Sequence, residues 1–488
     1  MPTVDGYFVD GTWTRSTGTS AMPVVNPYTE EVIGESPIAT RADVDAAVRS
    51  ARRALDGEWR ETTLGERIAL VLRVKELLAA RADDLAEVTS RSMGVPYEGY
   101  RSLSNSLPLI DAYIEDARQV LWEYLRSDPS GDALIVRRPV GVVAGLVPWN
   151  VPVRSEIKKV VPALLSGCTI VLKPAPETPF GAAALADICA EAGVPAGVVN
   201  VVTGDGGTGA DLVTHPLVRK VAFTGSSATG SRIWAAVAEN FTRLQLELGG
   251  KSAAVLLDDV DLDKAVPHLA AGIFNFAGQQ CTATSRVLVP RARHEEVVER
   301  LRAAAQAHVL GDPFDPRTTM GPLVTEQHSQ RVLGYVESGK NDGAVLAAGG
   351  GRPTDQPHGW FVEPTVFASV TSDMRIAREE IFGPIVAVMP YSNEEEAISI
   401  ANDSEYGLGG AVHSADTQRA LAVARRIDSG FVSINRYGIG PRIPFGGVKR
   451  SGIGRESGVE GFDSFLEYAS YPLLPEQARE LSGSLPSE

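Results

Sequence analysis

The feature that most constrains the fold is an alternation of short β-branched runs with helical segments, which begins near residue 139. The strand-like runs are VGVVAGLV, TIVLK, VVNVV and VRKVAF, and segments of helical character separate them. Strands that alternate with helices of about ten to fifteen residues predict βαβ units and a parallel, doubly wound sheet. A second alternating series runs from near residue 252 to residue 435. We therefore expect an α/β protein with two α/β layers.

The residues before this alternation are predicted to form short strands and then helices. Residues 1–39 are strand-like pieces broken by glycine and proline, and residues 40–43 resemble a capping box at a helix start. Apolar residues then recur at helical spacing up to residue 92. At 488 residues the chain is too long for one ordinary hydrophobic core, so two or three domains are expected.

Charge and histidine usage argue against two classes of ligand. With 46 Lys and Arg against 61 Asp and Glu, the net charge of −15 disfavours binding to nucleic acid or to an anionic membrane surface. The 7 histidines lie isolated, with no cysteine or acidic residue at metal-ligand spacing. We predict no metal site and no nucleic-acid partner.

The sequence also bears on the compartment. The N-terminus lacks the pattern of a secretory signal, and no apolar run approaches the roughly 20 residues that cross a bilayer. The 3 cysteines, Cys168, Cys189 and Cys281, do not form a disulfide framework and fit a reducing compartment. We expect a cytoplasmic protein without a membrane segment.

Cys281 is the candidate nucleophile. It follows Gly278 and two amides and precedes three short side chains, so nothing bulky in the neighbouring sequence crowds its sulfur. Gly278 would let the backbone approach a ligand closely, and amide N–H groups beside the cysteine could face an oxyanion. The alternative is an inert buried thiol, which is the commoner state of a free cysteine.

Two further residues have the chemistry that such a nucleophile needs. Glu247 lies between two leucines and before a glycine pair, so its apolar flanks would raise its pKa toward that of a general base. A salt bridge at a strand end is an equally good interpretation of Glu247. Asn150 stands between two prolines after a strand, where its amide could donate to an oxyanion, although an ordinary turn residue is the alternative.

Ligands of a doubly wound sheet bind beyond the carboxyl ends of its strands, so the residues that follow the strands are candidates for a cofactor site. Lys173 could hold a ribose hydroxyl there, although a solvated lysine is the ordinary case. The glycine-rich loop at 204–209 resembles a phosphate loop but lacks the spacing of the dinucleotide fingerprint. The Thr-Gly-Ser turn at 224–226, which a helix follows, is the better pyrophosphate candidate.

Taken in this order, the motifs resemble those of the aldehyde dehydrogenase superfamily, and the resemblance covers nearly the whole chain, from residue 25 to about residue 468. The motifs are Pro-Trp-Asn at 148–150, Lys-Pro at 173–174, Phe-Thr-Gly-Ser at 223–226, Glu-Leu-Gly-Gly-Lys at 247–251, Gly-Gln-Gln-Cys at 278–281, Glu-Ile-Phe-Gly-Pro at 380–384, and Pro-Phe-Gly-Gly at 444–447 with Ser-Gly at 451–452.

The resemblance implies an α/β fold with a doubly wound Rossmann-like cofactor domain, a second α/β catalytic domain and a small β oligomerisation element. The cofactor domain would comprise 1–120 with 141–250 and 449–467, and the catalytic domain would comprise 251–448. The oligomerisation element would comprise 121–140 with 468–488. The resemblance also implies a homodimer or a homotetramer.

The resemblance further implies a reaction on an aldehyde. Cys281 would attack the carbonyl, and the Asn150 amide and the Cys281 N–H would hold the thiohemiacetal oxyanion. After hydride leaves for the nicotinamide, Glu247 would activate the water that hydrolyses the thioester to the acid. Glu467 matches a second glutamate that some members of the superfamily are thought to use in proton relay.

A set of cofactor residues follows from the same resemblance. Glu380 would bind the nicotinamide ribose, Lys173 the adenosine ribose and Ser226 the pyrophosphate. NAD is favoured because no arginine stands beside Lys173, but Pro176 replaces a glutamate found in NAD-preferring members, so NADP use stays open. The complete set is Trp149, Lys173, Gly206, Thr224, Gly225, Ser226, Leu248, Gly249, Glu380 and Phe382.

Three alternative functions stay open at this point. A CoA-acylating semialdehyde dehydrogenase is the nearest, but such members commonly lack the glutamate at position 247. A thiol esterase that works without a cofactor would also use Cys281. A non-catalytic binding protein would be signalled by loss of the cysteine, glutamate or asparagine, and none is lost. By family analogy, residues 154–158, 280, 282 and 435–444 line the substrate tunnel, and their mixed character selects no particular aldehyde.

Overall fold

The computed structural model describes residues 4, 6–103 and 106–486, and the elements below lie within them. The strands are β1 (Tyr7–Val9), β2 (Thr12–Thr14), β3 (Ala21–Val25), β4 (Val32–Pro37), β5 (Glu123–Asp128), β6 (Gly131–Pro139), β7 (Val142–Leu146), β8 (Thr169–Lys173), β9 (Val199–Val201), β10 (Val218–Thr224), β11 (Arg243–Glu247), β12 (Ala253–Leu256), β13 (Arg286–Pro290), β14 (Val345–Ala348), β15 (Thr365–Ala368), β16 (Ile385–Tyr391), β17 (Gly409–His413), β18 (Phe431–Ile434), β19 (Gly452–Ile453) and β20 (Leu466–Leu473). The helices are α1 (Arg41–Asp56), α2 (Leu64–Ala80), α3 (Ala82–Met93), α4 (Tyr97–Leu103), α5 (Leu107–Gln119), α6 (Pro152–Ser166), α7 (Phe180–Glu191), α8 (Gly206–Val213), α9 (Ser227–Val237), α10 (Leu262–Phe274), α11 (His294–Gln306), α12 (Glu326–Asn341), α13 (Arg375–Arg378), α14 (Glu394–Asn402), α15 (Thr417–Ala424), α16 (Gly458–Asp463) and α17 (Pro475–Leu481).

The first large sheet has the strand order β19-β11-β10-β7-β8-β9-β1-β2. Its five central strands are parallel, and β19, β1 and β2 add antiparallel edges. Alternate residues of β7 enter different cores: Val143 packs with α6 and α7, whereas Val142 packs with α1 and α9. Helices therefore cover both faces, and the predicted parallel, doubly wound sheet is confirmed.

The second large sheet has the order β14-β15-β16-β13-β12-β17-β18 and is parallel except for β14. One continuous core joins it to helices α10, α11, α12, α14 and α15. The second α/β layer expected from the sequence is thereby confirmed.

Two smaller antiparallel sheets complete the molecule. β5 and β6 form a hairpin, and β20 pairs with β6 over its whole length, from Leu466 opposite Pro139 to Leu473 opposite Asp132. β3 and β4 form a separate hairpin. The three-stranded sheet thus joins a segment before the doubly wound sheet to the C-terminal part of the chain.

Local sequence explains the helix beginnings that matter for the site. The predicted capping box is present at α1, where Thr40 and Asp43 bond reciprocally. α6 begins with Pro152, whose fixed φ suits the first turn of a helix, and ends at Gly167 in the left-handed conformation. Ser226 caps α9 by accepting from the Thr229 N–H at 3.3 Å.

The described part of the chain lacks both a helix suited to a membrane and a cluster of side chains suited to a metal. No helix in these residues is both long enough and apolar enough to cross a bilayer. The same residues contain no group of three or more His, Cys, Asp or Glu side chains arranged to hold a metal ion.

Candidate active site

A cavity of about 720 Å³ collects residues from both large sheets. The segments that follow β7, β10 and β11 line it from one side, and the segment around Cys281 together with Glu380 and Phe382 lines it from the other. Of the predicted site residues, the cavity brings together Cys281, Glu247, Asn150, Trp149, Thr224, Gly225, Ser226, Leu248, Gly249, Glu380 and Phe382.

The segment that carries Cys281 has an irregular backbone. After α10 ends, Phe276 and Ala277 adopt positive φ angles of 55° and 53°, and Gly278 follows at 71°. A side chain at Gly278 would overlap the carbonyl of Gly383, because the two backbones lie in close contact. The sequence predicted that Gly278 would let a ligand approach the backbone. In the structure, Gly278 instead allows close packing of its segment against the segment that contains Gly383.

The thiol of Cys281 is half-buried and protonated at rest. Burial, together with the negative charges of Glu247 and Glu380, raises the pKa of Cys281 to about 12, whereas the charge of Lys158 acts in the opposite direction. Reaction therefore requires a group that takes the proton, because the thiolate is the nucleophile.

Asn150 is buried beside the cysteine segment. Its side-chain Nδ2 donates to the Gln279 carbonyl oxygen at 2.8 Å. This bond uses one of the two N–H groups of the amide and fixes its orientation. The second N–H lies in the same amide plane and is the group that could donate into the cavity.

Glu247 ends β11 and is buried, and neither carboxylate oxygen has a hydrogen-bond partner among the residues the structure describes. Burial raises the pKa of Glu247 well above its usual value, and the negative charge of Glu456 adds to the rise. The nearby Lys158 and Lys159 act in the opposite direction. A carboxylate with a raised pKa is a stronger base than an exposed one.

Glu456 is a site residue that the sequence analysis missed. It lines the cavity, is buried, and accepts hydrogen bonds from Lys158 at 2.9 Å and from Lys159. Burial alone would raise the pKa of Glu456, but the two lysines outweigh it and hold the value at about 2. Two backbone hydrogen bonds between Phe445 and Glu456 bring it beside the 444–447 motif.

Glu467 does not occupy the position predicted for it. It lies on β20 outside the cavity lining, and both of its oxygens accept from Arg243, at 2.8 and 2.7 Å. The second glutamate beside Glu247 is Glu456. The one feature of the sequence that points to Glu456 is its position shortly after the Ser-Gly motif at 451–452. Gly452 of this motif lies in β19, which pairs with β11 opposite Glu247.

The side of the cavity beside Thr282 includes residues of the predicted tunnel. Tyr437 donates to Gln280 Oε1 at 3.0 Å and lies 3.1 Å from the hydroxyl of Thr282. Ile439 also lines the cavity. Arg442, in contrast, lies outside the lining and is paired with Asp116 at 3.3 Å.

The opposite side of the cavity is shaped by Glu380 and Phe382. Glu380 accepts from the Gly250 N–H at 3.1 Å, and burial raises the pKa of Glu380 to about 7. A side chain at Gly249 would overlap Glu380 Oε2, so glycine keeps this wall flat. Phe382 has a φ of 59° and packs edge-on against Trp149 at 5.4 Å.

The 224–226 turn lies where β10 passes into α9. Thr224 accepts from Lys159 at 2.9 Å, and Ser226 caps the helix. Leu248 packs closely on Gly230 of α9, because a Cβ added to Gly230 would lie 2.6 Å from Leu248 Cδ2. The N-terminus of α9 thereby faces the cavity, which is a favourable place for a phosphate group.

Lys173 and Gly206 are the two predicted cofactor residues that lie outside the lining of this cavity. Lys173 ends β8 and donates to the Pro174 carbonyl at 2.9 Å, and burial lowers the pKa of Lys173 to about 8. Gly206 is the first residue of α8. The two are near each other, since a Cβ on Gly209 of α8 would lie 3.6 Å from Lys173 Cδ.

Comparison with known proteins adds an independent finding. Residues 13–471 match the model of the aldehyde dehydrogenase family. A geranial dehydrogenase of Castellaniella defragrans is 42% identical over 471 residues, which are 96% of this chain and 98% of the relative. A 3-succinoylsemialdehyde-pyridine dehydrogenase of a Pseudomonas species is 42% identical over 463 residues, which are 94% of this chain and 97% of the relative. A Mycobacterium tuberculosis aldehyde dehydrogenase, solved with NAD+, superposes with a TM-score of 0.95 at 43% identity, covering 96% of this chain and 98% of the other.

Proposed function

This chain belongs to the aldehyde dehydrogenase family, and on that premise we propose that it oxidises an aldehyde to the carboxylic acid with NAD as cofactor. One observation carries the proposal: a single cavity joins the Cys281 thiol, the Asn150 amide and the unpartnered carboxyl of Glu247. A nucleophile, an oxyanion donor and a general base are the groups that acyl-transfer chemistry on a carbonyl requires.

The residues on the cofactor side fit a dinucleotide. Gly249 provides a flat surface, and the helix N-terminus at Ser226 provides an anion site. The carboxylate of Glu380 provides an acceptor for a hydroxyl group. Lys173 beside α8 would hold the adenosine ribose in the next part of the groove. When bound, NAD supplies the chemistry of accepting the hydride from the aldehyde carbon. That the mycobacterial relative was solved with NAD+ supports this choice.

The first chemical step uses Cys281. Once Glu247 has taken the thiol proton and released it to solvent, the sulfur adds to the aldehyde carbonyl and forms a thiohemiacetal. The oxyanion of this intermediate accepts hydrogen bonds from the Asn150 amide and from the Cys281 N–H. The bond from Asn150 to Gln279 prepares this geometry before substrate binds, so the donors need no reorganisation.

The second step uses Glu247. Oxidation of the thiohemiacetal leaves a thioester on Cys281, and Glu247 takes a proton from the water that attacks it. The resulting hydroxide adds to the carbonyl carbon, the carbon–sulfur bond breaks, and the acid leaves while the sulfur regains the proton that Glu247 holds. Burial of Glu247 supports this role because it makes the carboxylate a stronger base than an exposed one. The same residue supports water over CoA as the acceptor of the acyl group.

We also propose the predicted domains and an oligomer. The cofactor-binding domain comprises 1–120 with 141–250 and 449–467, the catalytic domain comprises 251–448, and the oligomerisation element comprises 121–140 with 468–488.

Support for association comes from β20, which pairs only with β6 among the described strands, so its other edge is available. Apolar side chains on this strand are exposed, with Tyr468 at 51% and Tyr471 at 47%. We propose a homodimer or homotetramer in the cytoplasm, and the absence of disulfides among three free cysteines supports a reducing compartment.

The test is the reduction of NAD and of NADP, followed at the nicotinamide absorbance, with a panel of aldehydes. The wild type should turn over at least one class, Cys281→Ala should not, and Glu247→Gln should give a single burst followed by stalled hydrolysis. Cys189→Ala is the matched control, since Cys189 is buried in α7 and lies outside the cavity. Failure of every aldehyde with both cofactors would contradict the proposal, and CoA-stimulated formation of an acyl-CoA would favour the acylating alternative.

A further inference from the structure

Two basic side chains on one face of α6 line the cavity on its aldehyde side. Arg154 and Lys158 are four residues apart in the helix and therefore project in the same direction. Ser155 lines the cavity with them. The two side chains differ in whether the protein supplies them with a hydrogen-bond partner.

The ammonium of Lys158 is paired within the protein, although it shares the carboxylate of Glu456 with Lys159. Its Nζ donates to Glu456 Oε2 at 2.9 Å and lies 4.4 Å from the centre of the Phe445 ring. Only 13% of the Lys158 side chain is exposed, so a carboxylate and an aromatic face together hold the ammonium in place. Lys158 therefore has its partners within the protein.

Arg154 has no such partner. It is half-buried, and it makes neither a hydrogen bond nor an ion pair with any residue of 4, 6–103 or 106–486. Glu156, two residues further on, faces the other way: its oxygens would lie 3.1 Å from a Cβ on Gly181 of α7. Glu156 is thus not the counter-ion of Arg154.

A second arginine in the same cavity shows the contrast. Arg331 donates to the carbonyl oxygens of Glu380 at 2.7 Å and of Ile381 at 3.0 Å, so its guanidinium holds the cofactor wall together. Arg154 makes no such bond with the residues the structure describes, and it lines the same cavity. A partly desolvated charge without a partner is unfavourable unless a ligand supplies one.

The position of Arg154 sets the distance at which a ligand anion would lie. The charge of Lys158 acts on the pKa of Cys281, whereas the charge of Arg154 acts on that of Tyr100, a buried residue that also lines the cavity. One helical turn separates the two, about 6 Å along the axis. An anion bound there would be several carbon atoms from a carbonyl held at the sulfur.

We propose that the physiological aldehyde carries a carboxylate at its far end and that Arg154 binds that carboxylate. The inference rests on the proposed aldehyde oxidation and names its substrate class, an ω-oxo carboxylic acid. A guanidinium suits this group because its planar fork matches both carboxylate oxygens. Arg154 thereby selects the substrate, while Cys281, Asn150 and Glu247 perform the chemistry.

The test compares ω-oxo carboxylates of about four to eight carbons with neutral straight-chain aldehydes of the same length, each at saturating cofactor. We expect the wild type to have the higher kcat/KM for the anionic member at one or more lengths. Arg154→Gln should reduce the ratio of anionic to neutral kcat/KM by about 10- to 100-fold through KM, since one charge-assisted pair is lost. Arg154→Lys should lose less because it keeps the charge.

Arg425→Gln is the matched control, because it removes one positive charge from an exposed position at the end of α15. This variant should keep the wild-type ratio. A wild type without preference for the anionic aldehyde, or an Arg154→Gln variant that keeps the preference, would overturn the proposal.

A second measurement separates this inference from the proposed function. Adipic acid, titrated by calorimetry into the full-length enzyme, should bind to the wild type and bind at least about 10-fold more weakly to Arg154→Gln. Adipate binding that depends on Arg154, without any aldehyde oxidation, would support the anion site and contradict the oxidation. Oxidation of neutral aldehydes, without adipate binding or anion preference, would leave the oxidation in place and refute the role of Arg154.

Discussion

The Cα of Gly446 faces the carboxylate of Glu247 so closely that a methyl group added to Gly446 would lie 2.6 Å from Oε1. The oxygens of Glu247 have no hydrogen-bond partner among the described residues, so contacts of this kind, rather than hydrogen bonds, hold the carboxyl in place. Gly446 of the 444–447 motif therefore leaves room for the carboxyl of Glu247.

Substituting Gly446 with alanine should displace Glu247 and slow hydrolysis of the thioester. We expect a fall in kcat of about 10-fold or more, because a general base that moves by about 1 Å loses its alignment with water. Formation of the thioester should continue, so a burst of NADH should persist in stopped-flow traces. Gly334→Ala is the control, since a Cβ at Gly334 meets nothing within 4 Å. An unchanged kcat in Gly446→Ala would show that the carboxyl has other room.

The pH dependence of hydrolysis should respond to Glu456. Glu247 acts as a base only when ionised, so the hydrolysis rate should rise with pH through its raised pKa and be lost below it. In Glu456→Gln one negative charge is removed, while Lys158 and Lys159 remain and favour the ionised form of Glu247. The rising limb of the kcat profile should therefore move to lower pH. A limb that stays in place or moves to higher pH would contradict this electrostatic account.

How much the sequence could predict depends on how far apart the interacting residues are in the chain. The strands β7, β8 and β10, and the residues directly after them, were predictable because local runs and motifs define them. Cys281 and Glu247 could be proposed from their neighbours alone. The role of Glu456 could not, because it follows from the pairing of β19 with β11, which joins segments about 200 residues apart. The family resemblance places Arg154 in the tunnel, but only the structure shows that it has no partner within 4, 6–103 and 106–486.

Glu467 should contribute little to the chemical steps. Its partner Arg243 is 63% exposed, and an exposed ion pair of this kind stabilises a protein by about 1 kcal/mol or less. We expect Glu467→Gln to keep kcat and the burst amplitude within about twofold of the wild type. Stopped-flow measurement of both phases checks this, with Glu247→Gln run in parallel as the variant that stalls. A comparable stall in Glu467→Gln would restore the relay role predicted from the sequence.

The choice between NAD and NADP should depend on the residue at position 176. Pro176 carries no charge, and its neighbour Glu177 acts on Lys173, raising the pKa that burial lowers. In Pro176→Glu a second carboxylate would stand beside the ribose site, where it would repel a 2′-phosphate and could accept from a 2′-hydroxyl. The ratio of kcat/KM for NAD over NADP should therefore increase by about 10-fold or more. Pro176→Gln, which changes shape without adding charge, should raise the ratio much less. Equal ratios in the glutamate and glutamine variants would mean that the adenosine ribose does not lie beside position 176, and that Lys173 does not hold it.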